Sequence, residues 1–287
     1  MRIFVANNAA VLRALSPAYT IEAEFGDDIV EGSEITLGHH GPRYKNICPC
    51  LVTQNPYRGP GDEIIGISHF DLDTLGGVMT CLGIKPYHES FWAAAAHVDL
   101  KGAHRLFELP WAPVDLLNAY WAWSSKPENR LSAPRDGSAK DCTEFFEKAF
   151  RMMYVLLYPD KEPTDMLLEG REWFEKNREL EELSYVTTVG DTVLLRKSGS
   201  FVNNLYRYDG KLYPAVVGYN TNTNAITISF ESSIPDVSAV EIVQSLWGTS
   251  AGGHTNIAGS PRGKEMSLDD AYHTAKYILT VLDRANQ

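Results

Sequence analysis

The sequence predicts an α/β protein. An N-terminal domain would hold a mainly parallel sheet with helices on both faces, and a smaller α+β C-terminal domain would be joined to it by a helical linker. Three observations predict this. Residues 1–110 carry short apolar runs bounded by Gly and Pro, the pattern of buried strands. Residues 140–184 carry apolar residues at helical spacing. From about residue 185 β-rich segments return and are followed by two helix-start signals. The expected divisions are 1–160 for the first domain, 161–184 for the connecting helix and 185–287 for the second domain.

In chain order, "EITLG" (34–38), "EIIGIS" (63–68) and "AAAAHVD" (93–99) read as strands. The segments "GPRYKNICPCLVTQNPYRGPGD" and "GIKPYHES" between them read as loops. "DCTEFFEKAFRMMYVLL" places Phe145, Phe146, Ala149, Met152, Met153 and Leu156 on one helical stripe, so the Met pair belongs to a core. "PTDMLLEGREWFEKNRELEELS" reads as a long, partly exposed helix starting near Pro163. In the second half, "YVTTVGDTVLLRKS", "NLYRYDGKLYPAVVGY" and "NAITISFESS" are strand-rich, and Asp209-Gly210 is a hairpin signal. Ser238 with Glu241 and Ser267 with Asp270 form capping boxes that open two helices.

Composition narrows the function classes. The chain has 287 residues, 44% apolar and 22% charged, as expected of a soluble globular protein. No apolar run approaches a membrane span, and Asn7 and Asn8 interrupt the only stretch resembling a leader. A cytoplasmic location without a membrane partner is therefore the default expectation. The net charge is −11, with no basic track to displace counterions, which argues against a long nucleic-acid duplex as partner. A small anionic substrate stays admissible, because a bound cation reverses the local field. Four cysteines in such a chain make no disulfide framework and read as packing residues. A homodimer is an expectation.

The stretch "GISHFDLDTLGG" carries His69, Asp71 and Asp73 at alternate positions after an apolar run. On a strand these three would share a face. By the same rule His97 and Asp99 would share one in "HVDLKGAH", with His104 nearby. His39 and His40 follow "EITL". Ligands bind outside the carboxyl ends of strands in open α/β sheets, so three adjacent strand ends would pool these groups. Clustered carboxylates repel one another unless a cation joins them. Mixed imidazole and carboxylate donors suit Mn²⁺, Fe²⁺ or Zn²⁺, and their number suggests two ions. Each motif also has a plain reading. Asp73 could cap a helix, His39 and His40 could sit on an exposed loop, and His88 and His273 read as packing or surface residues.

A second stretch, "SLWGTSAGGHTNIAGSPRG" (245–263), follows a strand ending in Ser232 and Ser233. Its Gly252, Gly253, His254, Ala258 and Gly259 resemble the DHH-associated C-terminal domain of DHH-family phosphoesterases. "DLDTLGG" looks like that family's Asp-x-Asp-x-x-Gly motif. Either His39-His40 or the His97–His104 segment stands for its His-His motif, and the His-His pair precedes the Asp-x-Asp segment in this chain. The resemblance implies a phosphoesterase with two divalent ions, Mn²⁺ first and Fe²⁺, Zn²⁺ or Mg²⁺ as alternatives. His39, His40, His69, Asp71, Asp73, His97 and Asp99 would be ligands, and Asp73, Asp99 and His104 catalytic. Ser232, Ser233, Gly252, Gly253, His254, Asn256 and Arg262 would bind a small nucleotide-type substrate, with Arg262 replacing the strand arginine usual in the family. Two other readings use the same residues: a metal hydrolase of ester or amide bonds, and a non-catalytic nucleotide-binding protein.

Overall fold

A computed structural model describes residues 1–25, 28–38, 48–53, 61–134, 136–158, 164–261 and 263–285. The chain divides into two units, Met1–Phe174 and Glu175–Gln287. The division falls inside one helix, Thr164–Leu183, rather than at either end of the connecting segment drawn from the sequence.

The first unit runs β1 (Arg2–Ala6), α1 (Ala9–Ala14), β2 (Tyr19–Ile21), β3 (Glu24–Phe25), β4 (Asp28–Ile29), β5 (Ile35–Leu37) and β6 (Ile64–Ile67). There follow α2 (Leu72–Cys81), α3 (Glu89–Lys101), α4 (Val114–Ser125), β7 (Ala139–Asp141), α5 (Thr143–Leu157) and α6 (Thr164–Leu183). The sheet order is β5-β2-β6-β1-β7. Four strands are parallel, and β7 closes one edge antiparallel to β1. Parallel strands covered on both faces need apolar residues on both. In β6, Ile65 and Ile67 enter a core shared with Phe91 of α3, Leu117 of α4 and Phe146 of α5. Gly66 faces the other way, where an added Cβ would meet Leu12 of α1 at 3.0 Å. Helices thus cover both faces.

The second unit runs β8 (Tyr185–Val189), β9 (Val193–Ser198), β10 (Arg207–Tyr208), β11 (Lys211–Leu212), β12 (Ala215–Asn220) and β13 (Ala225–Phe230). It ends with α7 (Ala239–Trp247), β14 (Gly252–Gly253), β15 (Ile257–Gly259) and α8 (Leu268–Ala285). Its sheet order is β14-β15-β13-β12-β9-β8, with β9 and β12 the parallel pair. Ala271, Thr274, Ala275, Ile278 and Leu282 give α8 a buried stripe at helical spacing. The hairpin at Asp209-Gly210 forms with positive φ at both residues, as a two-residue type I′ turn requires. The Ser267–Asp270 box is reciprocal: Asp270 N donates to Ser267 Oγ at 3.1 Å, and Ser267 N to Asp270 Oδ2 at 2.8 Å. Ser238 precedes α7, but its side chain makes no capping bond, which corrects the other box.

The largest correction concerns residues 93–99, which lie inside helix α3 and not on a strand. Alanine is the best helix former. The helix starts at His88, whose Nδ1 accepts from Phe91 N at 3.3 Å, and stops at Gly102, whose φ is 89°. Among the described residues no helix is long and apolar enough to cross a membrane.

Candidate metal centre

Strands β2 and β6 are parallel neighbours, and Ile21 pairs with Ile67 at their carboxyl ends. The residues that follow are therefore brought together. Ser68 N donates to Glu22 O at 3.3 Å. Glu22 is 1% exposed and has a φ of 48°, a left-handed conformation that costs a glutamate energy. Sequence reasoning missed it. The strand end after "YTI" was the available signal.

After Ile67 the strand stops, so the alternate spacing of His69, Asp71 and Asp73 is not a strand edge. Asp71 caps α2, its Oδ1 accepting from Thr74 N at 2.8 Å. The capping residue is Asp71 and not Asp73. Its Oδ2 lies 3.0 Å from His69 Nε2, and His69 Nδ1 lies 2.8 Å from Ser68 Oγ. The Asp71 hydrogen bond, against partial burial, raises the imidazole pKa. Burial opposes ionisation of Asp71, yet His69 and Thr74 together hold its carboxyl below the usual range.

Asp73 sits in the first turn of α2 and is 1% exposed. Its Oδ1 accepts from Cys50 N at 2.8 Å. Cys50 belongs to a short 3₁₀ turn, Pro49–Leu51, docked on α2. The Gly-Gly pair makes that docking fit. A Cβ on Gly76 would stand 2.5 Å from Cys50 Cβ, and one on Gly77 2.5 Å from Pro49 Cβ. This contact brings the Cys48 thiol to Asp73, while α3 brings Asp99 from another direction. One ligand atom from each of Cys48, Asp73 and Asp99 lies within 4.8 Å of the other two.

The trio fits a divalent ion. Three donors around one ion at about 2.0–2.3 Å stand about 3.3–4.0 Å from one another, and 4.8 Å bounds the spacing of these three. Burial, with Asp73, Asp99 and Glu22 adding to it, pushes the Cys48 thiol up to about 12. A bound cation would have to reverse that field to take the thiolate. All four cysteines, Cys48, Cys50, Cys81 and Cys142, are buried and free, as packing residues are, and Cys48 is the one whose sulfur stands beside two carboxylates.

Asp71, Asp73 and Asp99 line a cavity of about 420 Å³. Ser124, Asn129, Arg130 and Ser132 offer it polar groups, and Phe70, Tyr120 and Trp121 an aromatic side. Burial, with Asp71 adding to it, raises the Tyr120 phenol well above its ordinary value, which keeps it a hydrogen-bond donor.

The other expected residues fall elsewhere. On a helix, residues two apart point to opposite sides, so His97 and Asp99 do not share a face. His97 Nε2 is 3.1 Å from Arg105 O and 3.5 Å from Glu108. His104 packs over Gly102. His39, His40 and Arg262 lie outside the described residues. In the second unit, Asn256 Nδ2 donates to Ser233 Oγ at 3.1 Å, and Ser232 and His254 are exposed. Gly252 and Gly253 form strand β14, paired with Gly259 and Ala258. Gly253 has a φ of 152° and is pressed against Ala258, so its glycine is needed for the hairpin itself.

No family model matches the chain, and no curated protein matches it. Solved structures do. A pGpG-specific phosphodiesterase, PggH from Vibrio cholerae, aligns over 67% of this chain and 65% of its own at 11% identity and a TM-score of 0.36. RecJ in complex with Mn²⁺ from Thermus thermophilus aligns over 64% and 26% at 17% identity and a TM-score of 0.31. An exonuclease RecJ bound to manganese aligns over 97% and 75% at 17% identity and a TM-score of 0.35. The chain spans between 26% and 65% of the first four structures it matches.

Proposed function

We propose that the protein is a metal-dependent phosphoesterase that hydrolyses a small nucleotide-type phosphoester. The observation that carries this is the Cys48, Asp73 and Asp99 trio beside a cavity whose lining includes Asp73, Asp99, Arg130 and the rings of Phe70, Tyr120 and Trp121. An anionic substrate enters a cavity lined by three aspartates only if cations offset them. Bound there, divalent ions would polarise a phosphoryl oxygen and make water a competent nucleophile at neutral pH.

The chain's own residues would do the rest. Cys48, Asp73 and Asp99 would hold an ion. The sulfur donor favours Zn²⁺ or Fe²⁺ over the Mn²⁺ expected from imidazole and carboxylate alone. His69 is assigned to orienting the Asp71 carboxylate, since its two ring nitrogens lie at Asp71 Oδ2 and Ser68 Oγ. Arg130 anchors itself on Ser125 O through Nε at 3.1 Å and Nη2 at 2.8 Å. It is assigned to the phosphate, and Phe70 and Trp121 to the base or sugar.

The test is a screen of mono-, di- and cyclic nucleotides with metal-replete protein. Hydrolysis should stop with chelator and return with Zn²⁺ or Fe²⁺ more fully than with Mg²⁺. A metal-replete protein inert to the whole panel would contradict the reading. Arg130→Ala should lower kcat/KM by about 10–100-fold, the loss of a charge-assisted contact of about 1.5–3 kcal/mol, with metal content unchanged. An unchanged kcat/KM would remove Arg130 from the site.

A further inference from the structure

We propose that Lys85 is a positioning residue for the metal centre, acting through the turn that carries Cys48. This rests on the metal reading above. Lys85 Nζ donates to two carbonyls of the turn, Cys50 O at 2.8 Å and Val52 O at 2.6 Å. Its ammonium also lies 5.6 Å from the centre of the Trp92 ring, a cation–π distance. The residue is thus held from three sides, and desolvation lowers its pKa.

What it holds is the backbone of Cys50. The N–H of that residue donates to Asp73 Oδ1 at 2.8 Å, while its carbonyl accepts from Lys85. Cys50 Sγ points to Trp92 O at 3.6 Å. One residue, two positions after Cys48, is fixed at its donor, its acceptor and its side chain. The carbonyls at the end of a 3₁₀ turn have no partner within the turn and carry partial negative charge. A cation there satisfies Cys50 O, shares Val52 O with the Thr80 hydroxyl at 2.9 Å, and sets the plane of the Cys50 peptide. It also places a positive charge within electrostatic reach of Asp73. Lys85 does not line the cavity of Asp73 and Asp99. It lines a separate cavity of about 650 Å³, with Tyr87, His88 and Trp92.

The test uses Co²⁺ as the probe and compares the full-length chain with Lys85→Met, Lys85→Gln and Lys85→Arg. The wild type should bind Co²⁺ with a near-ultraviolet thiolate-to-cobalt charge-transfer band, and Cys48→Ser should lose that band. Lys85→Met keeps the aliphatic stem but has no donors. It should weaken Co²⁺ binding about tenfold or more and shift or reduce the band, measured well below its melting temperature. Lys85→Arg, which keeps charge and donors, should restore most of both. Should Lys85→Met fail to fold, Lys85→Gln, whose shorter amide keeps donors but no charge, should weaken Co²⁺ binding in the same direction and by less. A variant with lowered melting temperature but an unchanged band and Co²⁺ affinity within about twofold of wild type would overturn the positioning role and leave the metal reading standing. A wild type that binds no Co²⁺, or binds it without a thiolate band, would overturn both.

Discussion

Asp73→Asn is expected to abolish metal-dependent stabilisation and to lower turnover by about three orders of magnitude or more. The substitution keeps an acceptor for Cys50 N–H, now 2.8 Å from Asp73 Oδ1, and keeps the side-chain shape. It removes one negative charge from a buried group of acids. Without metal the variant should melt at or above the wild-type temperature, because Glu22 and Asp99 then repel one fewer neighbour. With metal at about a hundred times its dissociation constant, the wild type should gain about 2.7 kcal/mol. Asp73→Asn should gain almost none. Thermal melts with and without metal, read beside metal content, separate the two effects. A variant that keeps the metal-induced gain would remove Asp73 from the ligand set. A variant that loses stability without metal would show that its charge serves the fold.

Parts of this site were legible in the sequence because their causes are local. Asp71, Thr74 and the glycines lie within one turn-and-helix segment, and an Asp-x-Asp before a Gly-Gly pair marks a strand-to-helix junction whichever residue caps it. The Asp209-Gly210 hairpin and the Ser267–Asp270 box were legible for the same reason: a few adjacent residues fix each. Asp99 was picked out on a wrong premise. A short alanine run bounded by turn signals fits a strand or a helix, and His88 and Gly102 as helix ends would have decided it. Cys48 and Glu22 were not legible. Their positions come from contacts across long separations, Cys50 with Asp73 and Glu22 with Ser68, which no periodicity encodes. The proline between Cys48 and Cys50, suited to the start of a 3₁₀ turn, was the one local sign that this segment is fixed.

Gly76→Ala is expected to destabilise the first unit by about 1–3 kcal/mol, the usual cost of overpacking a tight core. Helix propensity alone gives the opposite sign. Gly to Ala inside a helix should stabilise by roughly 0.5–1 kcal/mol. The environment decides. A Cβ on Gly76 would stand 2.5 Å from Cys50 Cβ, 2.8 Å from Trp92 Cζ3 and 3.0 Å from Cys50 Cα. Trp92 is 4% exposed and Cys50 fully buried, so neither has open space to move into. The backbone atom among the three means that the turn itself must lift. Lifting it stretches the Cys50 N–H bond to Asp73 and carries Cys48 away from Asp73 and Asp99. Metal affinity should therefore fall together with the melting temperature, although Gly76 ligates nothing. A misplaced supporting residue typically costs about 10–100-fold in affinity. Melting curves and metal titration on the same preparation read both. If Gly76→Ala melts higher than the wild type, the turn does not press on α2 as described. If it melts lower but binds metal with wild-type affinity, the turn is free to shift without moving Cys48.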